Sequence, residues 1–147
     1  MDKASVVTKA DCVTYEWLND AITVRLAGAQ TGGLCTLTED HMKPSFEIGL
    51  HIHKTHAETF HVLAGEMEFQ AAGKTFPAKA GTTLHVPPGV PHRCKVVNGR
   101  PAQMLMIYAP AGFEDFLAAM RTLSGENFAD AAFMRAFNER FDLFALP

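Results

Sequence analysis

The chain is poor in several things that would otherwise define a function. Cysteine occurs three times, at Cys12, Cys35 and Cys94, an odd number at wide spacing. Such a set makes no disulfide framework and holds no Cys-x-x-Cys pair for a thiolate zinc knuckle. It is the pattern of reduced thiols, and a cytoplasmic location is expected. Serine also occurs three times, at Ser5, Ser45 and Ser124, never within Gly-x-Ser-x-Gly, which argues against a serine hydrolase. There is no P-loop and no Gly-x-Gly-x-x-Gly. The longest apolar run, Met104 to Ala109, is far short of the roughly 20 residues that span a bilayer, so no membrane partner is expected. The opening residues carry Asp2, Lys3, Lys9 and Asp11 without an apolar stretch, and no secretory signal is expected. Positive charge is not in excess either: 13 Lys and Arg face 16 Asp and Glu, a net charge of −3. Without a cationic run, no nucleic-acid partner is expected.

What remains is an ordinary globular composition, 48% apolar and 20% charged over 147 residues. That length suits one domain covering 1–147, and a domain of this size buries roughly 70% of the surface its unfolded chain exposes. From about residue 12 to 109 the sequence breaks into short apolar-rich segments. They are Val13–Leu18, Ala21–Leu26, Leu34–Thr38, Phe46–His53, Thr59–Leu63, Glu66–Gln70, Thr82–Val86, Arg93–Val97 and Gln103–Tyr108. Asn19-Asp20, Gly32-Gly33, Ala64-Gly65, Ala72-Gly73, Pro87-Pro88-Gly89 and Asn98-Gly99 punctuate them. Short strands at near-regular spacing predict an all-β sandwich or barrel.

The pattern changes after Pro110. Phe113, Phe116, Leu117, Met120 and Leu123 recur at helical spacing, as do Phe133, Phe137, Phe141 and Phe144, with Ser124-Gly125 between the two stretches. A helical tail of two short helices over about 111–144 is predicted. Seven of the eleven phenylalanines lie there, so the tail must bury an apolar face as outer packing, a lid or a dimer contact.

Six of the seven histidines fall between His51 and His92. His51-Ile-His53 lies in a run that reads as a strand. Residues i and i+2 of a strand point to one side, so the two imidazoles converge and Leu50 and Ile52 face away. Glu58 follows across a turn and can re-enter on the same interior face. His92 follows Pro87-Pro88-Gly89-Val90-Pro91, a turn whose prolines aim the next side chain. Three imidazoles and one carboxylate suit one divalent ion of Fe, Mn, Ni, Cu or Zn. An octahedral ion would keep two positions open.

These residues carry a family resemblance. His51-x-His53, four residues, Glu58, six residues and Gly65 match the first motif of the cupin superfamily. Gly81, five residues, Pro87-Pro88-Gly89, two residues and His92 match the second. Ser45 and Val96 stand where the motifs carry a leading glycine and a final asparagine. Fifteen residues lie between Gly65 and Gly81, as in small bacterial cupins. The run Asp20–Leu34 and the segment Ala109–Phe116 further resemble proteins described as quercetin 2,3-dioxygenase-like. The resemblance implies an RmlC-like double-stranded β-helix, or jelly-roll, barrel with the metal held by His51, His53, Glu58 and His92. It also implies a homodimer formed by exchange of N-terminal strands.

The leading functional expectation is a dioxygenase-like oxidoreductase acting on a small aromatic or enol substrate, with Glu58 taking a substrate proton. Two others stand beside it. One is metal-dependent isomerase, lyase or hydrolase chemistry without O2, and the other is a non-catalytic barrel that binds or senses a small ligand. Phe46, Glu47, Phe60, Phe69, Cys94, Met104, Met106 and Tyr108 are the candidates to line the pocket. Glu47 shares the parity of His51 if its strand is unbroken, and Cys94 also reads as a small buried hydrophobe. His56 and His41 read as loop residues, and His61 as outward-facing. The direction of His85 is open.

Overall fold

The computed structural model describes residues 4–147. The strands are β1 (Val13–Glu16), β2 (Asp20–Leu26), β3 (Thr36–Met42), β4 (Glu47–Ile52), β5 (Ala57–Ala64), β6 (Glu66–Ala71), β7 (Lys74–Lys79), β8 (Thr83–Val86), β9 (His92–Val96), β10 (Ala102–Ala109) and β11 (Phe144–Ala145). The helices are α1 (Gly28–Thr31), α2 (Phe113–Met120), α3 (Gly125–Ala129) and α4 (Ala131–Arg140). One sheet has the order β1-β2-β3-β10-β5-β8 and the other β11-β4-β9-β6-β7. All pairings are antiparallel. The architecture is the expected jelly-roll barrel with a helical tail.

The barrel core follows from period-2 alternation. Phe60 and Val62 of β5, Met67 and Phe69 of β6, Cys94 and Val96 of β9, and Met104 and Met106 of β10 all point inward and are buried. Strand β3 breaks the usual rule. Its inward residues are Thr36, Thr38, Asp40 and Met42, while Leu37 sits on the outer face. That inversion explains why the apolar reading stopped at Thr38, whereas the strand continues to Met42. His41 therefore lies on a strand with an exposed side chain, not in a loop.

Two strands, β7 and the short β11, were not foreseen. Strand β7 contains Pro77, which weakens a strand signal. Among the described residues β7 pairs with β6 alone, so a residue without an N–H is tolerated at this edge. The β6–β7 connection is the two-residue Ala72-Gly73 turn, with φ of 49° and 75°, a twist that matches the flanking strands. At Gly65, φ is 79° and an added Cβ would lie 2.6 Å from the Pro101 carbonyl oxygen. Only glycine fits there.

The tail forms three helices rather than two. Ser124 lies between α2 and α3 and caps α3, accepting the Asn127 N–H at 3.2 Å. Asp130 caps α4 through the N–H groups of Ala132 and Phe133. Phe144 lies beyond the helical repeat on β11, paired with Ile52 of β4. Phe116, Leu117 and Phe137 bury against Ile22 of β2 to make a second core. Glu114 fixes the start of α2, accepting from the Gly28 N–H at 2.6 Å and from the Thr36 hydroxyl. Among the described residues no helix is long and apolar enough to cross a membrane.

Candidate metal centre

His51 and His53 leave β4 and its end on one side, Glu58 enters on β5, and His92 opens β9 opposite His51. All four are buried, and one potential ligand atom from each lies within 4.8 Å of the others. The backbone aims every imidazole. Each Nδ1–H donates to a carbonyl: His51 to Gly49 at 2.8 Å, His92 to Val90 at 2.9 Å and His53 to Asp142 at 2.8 Å. A ring that donates through Nδ1 presents the lone pair of Nε2, the state a metal ligand requires. The proline turn is tied to the same point, since the Gly89 N–H donates to the His53 carbonyl at 2.7 Å.

Glu58 Oε2 lies 2.5 Å from His92 Nε2 and 3.3 Å from His53 Nε2, and the latter nitrogen has no aligned hydrogen-bond partner among the described residues. Three inward lone pairs around a carboxylate are unfavourable unless positive charge lies among them. The donor set therefore fits a divalent cation. Burial alone would raise the Glu58 carboxyl, but His53 and His92 outweigh it and hold it down at about 2. Burial and the neighbouring His92 pull His51 down to about 4. Burial also pulls at His53, but Glu58 leaves it net raised. A buried three-histidine, one-carboxylate group of this kind is equipped to hold one metal ion.

The group opens into a cavity of about 760 Å³, bordered by His51, His53 and Glu58. Of the residues expected to line it, Phe46, Glu47 and Tyr108 do so. Phe60, Phe69, Cys94, Met104 and Met106 do not; they fill the barrel core. The reason is depth. Phe60 packs against the His92 ring at 6.1 Å and against Phe69 at 5.2 Å, which closes the barrel behind the centre. Burial raises the Cys94 thiol far above its ordinary value, as for a small hydrophobe. Glu47 reaches the cavity although its strand is not in unbroken register with His51. The β4–β9 register shifts between Ile48 and His51, and Ile48 rather than Glu47 pairs with Cys94.

The rest of the wall comes from the tail, which the spacing argument left unplaced. Phe113, Phe116, Leu117, Met120 and Met134 border the cavity, with Trp17 and Ile22 beside them. Phe113 stacks on Tyr108 with ring centroids 3.9 Å apart. The signal was the phenylalanine-rich face itself. Asp142 is a second missed residue. It sits at φ 64°, and its carboxylate accepts from the N–H groups of Lys54, Thr55 and His56 at 2.8–2.9 Å. Its carbonyl orients His53. His56 is thus not a solvated loop residue; its ring lies 2.7 Å from Asp142. His61 and His85 face outward, each against a threonine hydroxyl.

Residues 39–108 match the family described as the cupin domain. In this chain the match runs from β3 to β10. The two motif segments, with all four ligand positions filled, lie inside that match. An uncharacterized protein of Methanocaldococcus jannaschii is 31% identical over 67 residues, 45% of this chain. The match spans 54% of that relative, about half its length. Among solved structures, a protein described as a predicted oxalate decarboxylase of Thermotoga maritima superposes with a TM-score of 0.66 at 20% identity. It covers 72% of this chain and 99% of its own. A nucleoside dehydratase of Streptomyces gives 0.61 at 18%, covering 77% and 88%. The polyketide cyclase RemF of Streptomyces resistomycificus gives 0.60 at 19%, covering 71% and 78%. These likenesses establish the cupin fold.

Proposed function

We propose that this cupin is a metal-dependent, dioxygenase-like oxidoreductase acting on a small aromatic or enol molecule. The observation that carries the reading is the meeting of a buried three-histidine, one-carboxylate group with a largely apolar cavity of about 760 Å³. That volume is in the range of small-molecule sites, roughly 300–1,000 Å³. A flat apolar body would rest against Phe46, Phe113, Phe116 and Leu117, with an oxygen donor turned toward the histidines. The sequence likeness to quercetin 2,3-dioxygenase-like cupins points the same way.

His51, His53, Glu58 and His92 would hold the ion, which supplies Lewis acidity and, if redox-active, electrons to O2. The chain's own residues do the remainder. Glu58, held ionised, contributes negative charge to the centre and is a weak proton acceptor. The Tyr108 hydroxyl donates to the Met106 sulfur at 3.5 Å while its ring extends the apolar wall. The aromatic face excludes water, which strengthens every polar contact inside.

A second reading keeps the ion and drops O2, as isomerase, lyase or hydrolase chemistry. Fold neighbours described as a decarboxylase, a dehydratase and a cyclase favour it. The deciding experiment incubates metal-loaded protein with a panel of flavonols and enols. O2 consumption with product supports dioxygenation. Turnover under strict anaerobiosis supports the second reading. A bound metabolite released unchanged, with no turnover under either atmosphere, assigns the chain to ligand binding or sensing. We also propose a cytoplasmic homodimer. Strand β1 is a sheet edge with Val13 exposed, and a single-chain mass in solution would overturn the dimer.

A further inference from the structure

A second titratable feature lies in the cavity wall, and neither the metal centre nor the cupin motifs account for it. Asp20 opens β2 opposite Met42, and Asp40 lies inward on the neighbouring β3 opposite Ile22, so the two carboxyls are diagonal neighbours across the strand pair. Asp40 is 1% exposed. Among the described residues its Oδ1 has no hydrogen-bond partner, and neither has the hydroxyl of Thr38, two residues back on the same face. Asp20 is half-buried and borders two spaces. One is the cavity that holds His51, His53 and Glu58. The other is an outer cleft of about 470 Å³, shared with Glu16, His41, Lys43 and Gln103.

We propose that Asp20 and Asp40 form a proton-sharing carboxyl pair and that Asp20 is a second acid–base group of the cavity, separate from Glu58. Two ionised carboxylates in contact inside a barrel repel each other and lose hydration, so the pair keeps one proton. Asp40, the deeper partner, holds it and donates to Asp20.

The charged and titratable groups facing the pair are few. Lys43, Glu16 and His41 share the outer cleft with Asp20, Glu58 and Tyr108 border the inner cavity with it, and Cys94 is buried in the barrel core. Lys43 is the one permanent cation among them. Burial and the Asp20 charge raise Asp40 strongly. Burial raises Asp20 as well, and Asp40 and Lys43 draw it back to about 6. A carboxyl near neutrality is suited to take up and return a proton.

The step is a transfer. A ligand O–H in the cavity breaks, its electron pair stays on the ligand oxygen, and the proton passes to Asp20. The pair then holds two protons while the ligand anion stays bound, and the outer cleft offers a path for return to solvent once it leaves. The ligand class follows: a molecule with an acidic hydroxyl, such as a phenol or enol. This step rests on the function proposed above, whereas the proton-sharing does not.

Two measurements test the two parts separately. Infrared spectra of the wild type at pH 7 should show a protonated-carboxyl C=O band that Asp40→Asn removes. Absence of that band from the wild type overturns the pair, and so does its survival in a folded D40N. If D40N does not fold, Asp20→Asn should shift the band, and an unmoved band overturns the pair. Catechol is then titrated into the Zn(II)-loaded protein in buffers of different ionisation heat. Wild type should release about one proton fewer per catechol than D20N, because Asp20 takes it. Equal release overturns Asp20 as the acceptor. A wild type that binds no catechol, with the infrared band present, overturns the phenol or enol reading and the transfer step, and leaves the pair standing.

Discussion

The two sides of the cavity are built by different rules. On the barrel side, polar groups converge. Four side chains within 4.8 Å are each fixed by a backbone contact or a neighbour. On the tail side, Phe113, Phe116, Leu117 and Met120 form an apolar wall. It is held by packing, apart from the Glu114 contacts at its base. The barrel side decides what chemistry is available; the tail side decides what shape is admitted. Sheet register fixes the first, and the second depends on helices that dock on Ile22 of β2. Asp142 joins the two. It stands at the end of the tail, yet it holds the β4–β5 turn and orients His53.

If the two sides are separable, damage to the tail wall should spare the metal. Leu117→Ala removes a side chain that is 0% exposed. It should cost about 3 kcal/mol in chemical denaturation and enlarge the cavity. The bound metal per chain should stay as in wild type, and loss of metal alongside stability would break the separation.

Asp142→Ala should couple the two sides where Leu117→Ala does not. Removing charge-assisted bonds to three backbone N–H groups should cost about 2 kcal/mol. Loosening His53 should weaken metal affinity about tenfold in a chelator competition. The pH dependence has a definite sign. Burial would raise the Asp142 carboxyl, but bonds from Thr55 and His56 hold it below its ordinary 3.8. Its stabilisation is therefore complete above about pH 4 and is lost as pH falls toward the folded value. Asp142→Ala should flatten the acid limb of a stability–pH profile and leave the neutral limb parallel.

The smallest effect is expected at Phe113→Leu. It removes the stack on Tyr108, worth about 1 kcal/mol, and should weaken binding of an aromatic probe more than it lowers stability. Equal binding by the variant would remove Phe113 from the ligand wall.

Legibility in the sequence followed the same division. The ligand set could be read because strand parity and the proline turn are local, and because residues 51–92 carry both motifs. The barrel followed from turn spacing, although Pro77 concealed β7 and the inward threonines of β3 shortened that strand. Glu47 reaches the cavity as expected, although a register shift that alternation cannot detect interrupts the β4–β9 pairing behind it. Five expected lining residues proved to be core, since parity says which side faces inward and not how deep the cavity reaches. The tail's partners and Asp142 were invisible for a different reason. The contact that orients His53 spans 89 residues of chain, and no local pattern encodes it.

The central claim is that the buried histidine–glutamate group holds one divalent ion. Elemental analysis tests it directly, on wild type and on His51→Ala/His53→Ala, each stripped with chelator, reloaded and desalted. The account predicts about one Fe, Mn, Ni, Cu or Zn per wild-type chain and almost none in the double variant. A wild type that retains no ion after reloading, or a folded double variant that retains as much as wild type, would contradict it.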